Sequence, residues 1–164
     1  MADIAQSGLY KITGILPKDA CVVIVRTEWN ADIIDELENG CRNFLEASGI
    51  KKIITLNVPG SIEIPYIINQ YWNYTQSSEN KPDAFIALGC VIRGETPHFD
   101  YVCMSVTQGI TSLNISLPVP VIFGILTVDN IQQANERLGG FHGHKGEEAA
   151  ITAIKMIALK RSFI

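Results

Sequence analysis

The sequence lacks the features of several large protein classes. No run approaches the roughly 20 apolar residues that a membrane-spanning helix needs, and the first residues have no apolar stretch of the kind found in secretory signals. Positive charge is not in excess, since 13 Lys and Arg residues stand against 17 Asp and Glu residues and the net charge is −4. A nucleic-acid-binding domain normally carries a basic surface. We therefore expect a cytoplasmic protein with no nucleic-acid partner and no membrane partner.

Cysteine and the common nucleotide-binding motifs are also scarce. The four cysteines, Cys21, Cys41, Cys90 and Cys103, include no CxxC pair, so we expect free thiols in a reducing compartment and no zinc site. The glycine-rich stretch 139–146 does not match GxxxxGK[ST], and no GxGxxG follows the first predicted strand. The sequence contains no GxSxG motif of the kind that would indicate a hydrolase.

The sequence does contain a regular alternation of strands and helices in 164 residues, 47% of them hydrophobic. This length suits one domain over 1–164, with an N-terminal extension over 1–20 and a core over 21–160. Short apolar runs typical of strands buried on both faces are each followed by a helical pattern. The predicted strands are Cys21–Thr27, Ile53–Val58, Ala84–Ile92 and Pro120–Thr127. Strand then helix, four times over, predicts a parallel four-stranded sheet in a three-layer α/β/α sandwich of flavodoxin-like type.

The helix ends are predicted from capping residues. Asn30 is expected to cap the helix over 31–48 and Gly49 to end it, and Asp129 is expected to cap a short helix ending near Leu138. Further helices are predicted over 62–74, 98–114 and 147–159. Gly139–Gly146 is predicted as a turn between the short helix and the last helix. Leu9–Leu16 is a candidate for an extra edge strand.

Polar residues follow three predicted strands at the edge where open α/β sheets bind ligands. Of these segments, Arg93–His98 is the richest in functional groups. Its following helix offers free N–H groups and a positive end to an anion such as phosphate, and His98 can exchange a proton near neutral pH. The alternative is an ordinary strand-to-helix loop with a capping Thr96 and a surface histidine.

Other candidate residues also have ordinary explanations. Trp29 offers a flat face to a heteroaromatic ring, but a tryptophan next to a buried strand is more often part of the core. Glu63 suits a pocket that binds hydroxyls, or simply the positive end of a helix. Arg137 and Lys145 flank the glycine-rich turn and together could neutralise a phosphate, although solvated surface charge is the more common case.

Taken together, five segments resemble the lumazine synthase family, which carries out the penultimate step of riboflavin biosynthesis. They are VPGSIEIP (Val58–Pro65), ALGCVIRGETPHFDYV (Ala87–Val102), PVIFGILT (Pro120–Thr127), ERLGG (Glu136–Gly140) and HKGEEAA (His144–Ala150). The resemblance implies condensation of 5-amino-6-(D-ribitylamino)uracil with 3,4-dihydroxy-2-butanone 4-phosphate. The products are 6,7-dimethyl-8-ribityllumazine, phosphate and water, and no metal or organic cofactor is involved.

The resemblance also assigns roles to individual residues. His98 is expected to transfer protons, and Arg93 and Lys145 are further candidates for the site. The residues expected at the uracil substrate are Trp29, Ser61, Ile62, Glu63, Cys90, Val91, Ile92 and Phe123. The residues expected at the phosphate substrate are Glu95, Thr96 and Arg137. The chain departs from the common family pattern at Trp29, Ile62, Phe141 and His144, where Phe, an aromatic residue, Lys and Asn are usual.

In the family, Phe123 and Arg137 would reach the site from a neighbouring subunit, so the resemblance implies a homopentamer. The short spacing from Arg137 to Lys145 favours assembly of twelve pentamers into a 60-subunit shell, and riboflavin synthase is a further candidate partner. The alternative function is a non-catalytic flavin- or lumazine-binding protein on the same scaffold. His98 and Arg137 favour the enzyme, because a binding protein needs neither proton transfer nor a phosphate clamp. A flavodoxin-like electron carrier is disfavoured, because the loop TEWNAD after the first strand is not rich in the Ser, Thr and Gly residues that would surround a phosphate.

Overall fold

The protein forms a parallel four-stranded sheet between two layers of helices. The structure is a computed structural model that describes residues 8–11 and 17–163. The strands are β1 (Cys21–Thr27), β2 (Lys52–Val58), β3 (Ala84–Ile92) and β4 (Val121–Val128), and their order across the sheet is β2-β1-β3-β4. All three strand pairings are parallel. The predicted fold class is confirmed, and the third predicted strand is correct to the residue.

In the described part of the chain, five α-helices accompany these strands. They are α1 (Ala31–Ala47), α2 (Ile64–Thr75), α3 (His98–Ser116), the short α4 (Ile131–Asn135) and α5 (Lys145–Arg161). One turn of 3₁₀-helix over Ser61–Glu63 precedes α2, and Pro65 lies in the first turn of α2 as predicted. A small antiparallel hairpin, β5 (Leu138–Gly140) and β6 (Gly143–His144), replaces the simple turn predicted between α4 and α5.

Each face of the sheet is covered by two helices. On one face, α1 and α5 pack on alternate residues of the central strands, such as Val22 and Ile24 of β1. On the other face, α2 and α3 pack on the intervening residues, such as Val23 and Val25. Since side chains alternate across a strand, both sets must be apolar, and this explains the uninterrupted apolar runs in the sequence.

A polar network joins α1 to β1 and β2. Glu38 of α1 accepts hydrogen bonds from Arg26 of β1 (2.6 Å), Arg42 (3.1 Å) and Thr55 of β2 (2.6 Å). The Glu38 side chain is only 13% exposed. Burial acts to raise the pKa of Glu38, but the three hydrogen bonds outweigh it and hold the pKa below its ordinary value. The network therefore stabilises the ionised carboxylate.

Several predicted helix ends need correction. Asn30 precedes α1, but its side chain does not cap the helix. Asn130, not Asp129, caps α4 by accepting a hydrogen bond from the Gln133 amide, and α4 ends at Asn135 rather than near Leu138. The last helix starts two residues earlier than predicted, because His144 caps it. Gly49 lies just beyond α1 with a φ of +89° and ends that helix as predicted.

The cysteines are free thiols, as expected, and three of them are buried. Burial raises the pKa of Cys41 to about 12 and that of Cys90 to about 11, so both thiols stay protonated at neutral pH. Within residues 8–11 and 17–163, no helix is both long enough and apolar enough to cross a membrane. The predicted edge strand Leu9–Leu16 falls largely outside the described residues.

Candidate functional site

The loop after β1 presents an aromatic side chain to solvent. Trp29 is 73% exposed, so it is not a core residue despite following a buried strand. Asn30 adopts the left-handed conformation (φ 61°, ψ 47°), which asparagine tolerates better than most residues. Its amide Nδ2 donates a hydrogen bond to the Cys90 carbonyl at the end of β3 (3.0 Å). The loop that carries Trp29 is thereby tied to the neighbouring strand.

The segment after β2 brings a carboxylate next to this tryptophan. Gly60 lies between the two side chains: a Cβ on Gly60 would lie 3.0 Å from Oε2 of Glu63 and 3.7 Å from Cδ1 of Trp29. The indole and the carboxylate therefore both border the space that Gly60 leaves open. Ile62 is exposed beside them. Ser61 is buried, and its hydroxyl lies 2.9 Å from the position that a Cβ on Gly89 of β3 would take.

The end of β3 supplies backbone groups rather than reactive side chains. Cys90 is buried, and Val91 and Ile92 are half-buried. The raised pKa of Cys90 leaves an unreactive thiol. The strand is therefore suited to hold a flat ligand edge through its peptide groups, beside Asn30 and Ser61.

Arg93 after β3 has two acidic partners. Its guanidinium contacts Asp129 (2.9 Å) and Asp100 of α3 (3.2 Å) and lies 4.0 Å from the centre of the Phe99 ring. These hydrogen bonds, chiefly the one that Arg93 donates to Asp129, raise the pKa of Arg93. With its charge balanced in this way, Arg93 braces the start of α3 instead of presenting a free cation.

The residues between Arg93 and α3 are open to solvent. Glu95, Thr96 and His98 are all exposed, and the His98 amide donates a weak hydrogen bond to the Thr96 hydroxyl (3.4 Å). His98 is the first residue of α3, and Pro97 precedes it at the N-cap position. The first amides of α3 are partly used within the chain, since the Asp100 amide donates to the Pro97 carbonyl (3.0 Å). The arrangement therefore offers chiefly the positive end of a long helix, with an imidazole beside it.

A second group of predicted residues lies elsewhere, along the free edge of β4. A groove of about 490 Å³ runs there, and Phe123, Arg137 and Lys145 line it together with Glu148, Thr127 and Thr152. Phe123 is 42% exposed although it belongs to a strand. None of the residues from the β1, β2 and β3 loops lines this groove.

The two cations in the groove differ in their partners. Lys145 forms an ion pair with Glu148 of α5 (2.8 Å), and both side chains are largely buried. Arg137 donates to the Gln133 carbonyl (2.6 Å) and makes no ion pair with any residue in the described part of the chain. Arg137 therefore keeps an unbalanced charge that an anionic ligand could neutralise, whereas the charge of Lys145 is already neutralised.

Sequence reasoning missed two residues of this arrangement. The tie made by Asn30 leaves no trace in a single sequence, since asparagine before a helix ordinarily indicates a cap. The partner of Lys145 could have been found, because residues three apart lie on one helix face. Among the described residues, no group of three or more His, Cys, Asp or Glu side chains is placed to hold a metal ion.

Comparisons with known proteins identify close relatives. A family model described as 6,7-dimethyl-8-ribityllumazine synthase matches residues 19–161. A protein of that name from Parabacteroides distasonis is 50% identical over 137 residues, which are 82% of each chain. The protein of that name from Porphyromonas gingivalis is 47% identical over 88% of each chain. The one from Cytophaga hutchinsonii is 46% identical over 94% of this chain and 96% of its own.

Proposed function

Since the chain belongs to the 6,7-dimethyl-8-ribityllumazine synthase family, a transferase family of riboflavin biosynthesis, we propose how its residues carry out that reaction. The enzyme condenses 5-amino-6-(D-ribitylamino)uracil with 3,4-dihydroxy-2-butanone 4-phosphate. An amine of the uracil attacks the ketone to give an imine and water, and phosphate is then eliminated. The second amine attacks the remaining carbonyl carbon and closes the new ring with loss of a second water. Holding two reactive partners in the right geometry supplies much of the acceleration.

The uracil substrate binds at the loops after β1 and β2. The observation that carries this assignment is that the exposed Trp29 indole and the Glu63 carboxylate both lie beside Gly60. The indole stacks on the pyrimidine ring, and Glu63, with Ser61 and Ile62 beside it, accepts hydrogen bonds from the ribityl hydroxyls. Cys90, Val91 and Ile92 hold the uracil edge through backbone groups.

The phosphate substrate binds at the start of α3. Glu95 and Thr96 belong to the loop that contacts the phosphate, and the positive end of α3 stabilises its charge. His98, the first residue of α3, moves protons during imine formation and phosphate elimination, a contribution of roughly 10²–10⁴-fold in such steps.

A neighbouring subunit completes the site. In one chain, Phe123 and Arg137 line a groove apart from the other site residues. We assign both to the site of the adjacent subunit in a cyclic homopentamer, where Phe123 closes the ring site and Arg137, which has no ion-pair partner in the described part of the chain, binds the phosphate. Head-to-tail contacts of this kind close naturally into a ring. The short Arg137–Lys145 turn favours a shell of twelve such rings.

Direct assay tests this function. Purified protein is mixed with both substrates, and the lumazine product is followed by absorbance and fluorescence while released phosphate is measured in parallel. We expect one phosphate for each lumazine, at a rate above that of the uncatalysed condensation. Reactions lacking either substrate serve as controls. Binding of the lumazine without any rate above background would instead indicate a non-catalytic binding protein.

A further inference from the structure

His144 occupies an unusual position between α1 and α5. It is the last residue of β6 and the N-cap of α5, and it is only 9% exposed. Its ring fills the space above Gly40 of α1, where a Cβ would overlap the imidazole. Next to it, a Cβ on Gly146 would overlap the Leu37 carbonyl. The two helices therefore meet along these two glycines, and the imidazole fills the remaining gap.

The hydrogen bonds of His144 fix which ring nitrogen carries the proton. Nδ1 accepts from the backbone N–H groups of Gly146 (3.2 Å) and Glu147 (3.4 Å). An acceptor nitrogen has no proton, so the neutral ring carries its proton on Nε2. Nε2 is buried and has no hydrogen-bond partner. The Glu36 carboxylate lies 3.6 Å away, just beyond hydrogen-bonding distance.

This cap also holds the turn that presents two site residues. His144 pairs with Leu138 in the β5–β6 hairpin. The following Lys145 amide donates to the Arg137 carbonyl (2.9 Å). The hairpin, the cap and α5 thus form one unit that carries both Arg137 and Lys145 at the β4 groove.

We propose that His144 is a positioning residue for the phosphate-binding arginine, and that it works only in its neutral form. A second proton would turn Nδ1 from acceptor into donor, facing two N–H groups and the positive end of α5. The cap would break, the hairpin would loosen and Arg137 would lose its fixed position. Acidification, which supplies that proton, should therefore weaken the hold on Arg137. The proposal rests on the role given above to Arg137.

The charged groups around the ring act in both directions. From α1, Glu36 favours a cationic ring, and from α5, Glu147 does the same. The N-terminal end of α5 and the two capped N–H groups oppose a cationic ring. From the hairpin side, Gly139 presents no side chain to the ring, since even a Cβ there would lie 3.7 Å from its Cδ2. Glu136 and His142 lie close to each other (3.9 Å), and Lys145 is neutralised by Glu148.

Substitution of His144 by asparagine separates capping from titration. Asparagine is a good N-cap that does not titrate, so His144→Asn should keep the turn fixed at every pH. The quantity to measure is the ratio of the KM for the butanone phosphate in the wild-type protein to that in His144→Asn, from pH 5 to 8. The ratio cancels the pH effects that are common to both proteins, including the ionisation of the phosphate itself. We expect a rise of about 5-fold towards pH 5, the size of a lost cap, with no change in the ratio for the uracil substrate.

A second measurement is independent of catalysis. Amide hydrogen exchange of the segment 137–150, corrected for intrinsic rates, should accelerate on acidification in the wild type and not in His144→Asn. The control is His142→Asn, a histidine in the same hairpin that makes no cap and should behave like the wild type. Equal pH dependence in the wild type and His144→Asn would overturn the proposal. Protection that changes as expected in a protein without turnover would overturn the proposed function instead.

Discussion

At the residue scale, the site depends on which charges are already balanced. Arg93 has Asp100 and Asp129 as partners, and Lys145 has Glu148, whereas Arg137 makes no ion pair with any residue in 8–11 or 17–163. Motif reading treats all three as cations near a phosphate. The contacts show that Arg93 braces α3, that Lys145 is paired with Glu148, and that the charge of Arg137 is available to an anion.

Removal of the Arg137 guanidinium should therefore affect one substrate selectively. We expect Arg137→Ala to weaken binding of the butanone phosphate by about 1.5–3 kcal/mol, the loss of a charge-assisted hydrogen bond. Binding of the uracil substrate should change little. Separate titrations of each substrate in steady-state kinetics measure this. Arg137→Lys should restore only part of the loss, because a point charge lacks the planar fork. Equal weakening of both substrates would contradict the assignment.

Removal of the His98 imidazole should affect turnover more than binding. Since His98 is exposed at the start of α3 and makes no packing contact in the core, His98→Ala should fold normally and lower kcat by roughly 10-fold or more. Binding of the uracil substrate, followed by quenching of tryptophan fluorescence, should stay close to that of the wild type. An unchanged kcat across the whole pH range would remove His98 from the mechanism.

At the scale of the element, the central strands were predictable from the sequence, whereas the ends of several helices were not. Residues 84–92 carry an apolar run that only a strand buried on both faces explains. The 3₁₀ turn at Ser61–Glu63 and the β5–β6 hairpin depend on tertiary contacts that no local pattern encodes. The same holds for the site: the three loops at the strand ends were identifiable from position, but the tie from Asn30 to β3 and the cap by His144 were not.

The network around Glu38 gives a prediction for the stability of the α1 layer. Replacement by Glu38→Gln removes the charge that binds Arg26 and Arg42, and should lower the free energy of unfolding at pH 7 by about 2 kcal/mol. The folded pKa of Glu38 is held below its ordinary value, so the carboxylate contributes stability above the unfolded pKa and loses it as the pH falls.

The difference between the wild type and Glu38→Gln should accordingly shrink as the pH is lowered from 6 towards 3. Urea unfolding followed by circular dichroism at several pH values measures it. Glu46→Gln is the matched control, because Glu46 is an exposed residue of the same helix with a single long contact to Arg42 (3.9 Å), and its substitution should change stability little. A difference that grows on acidification would contradict the assigned sign.

At the scale of the whole molecule, a chain with its site residues in two places predicts assembly. We expect a species of about 90 kDa, the mass of five chains of 18.0 kDa, or a shell of twelve such rings. Sedimentation velocity at neutral pH, with activity measured across the same fractions, distinguishes these. A 90 kDa species with nothing larger would exclude the shell. An active species near 18 kDa would exclude a site shared between subunits.

The strand order β2-β1-β3-β4 also bears on how the chain folds as it leaves the ribosome. β1 is made first but lies in the middle of the sheet, so one of its edges stays unpaired until β3 has been synthesised about 65 residues later. At 5–20 residues per second this takes roughly 3–13 seconds. α5, which covers one face of the sheet with α1, follows later still. The nascent chain thus exposes a β-branched edge and a bare apolar face for seconds, the kind of surface that molecular chaperones bind.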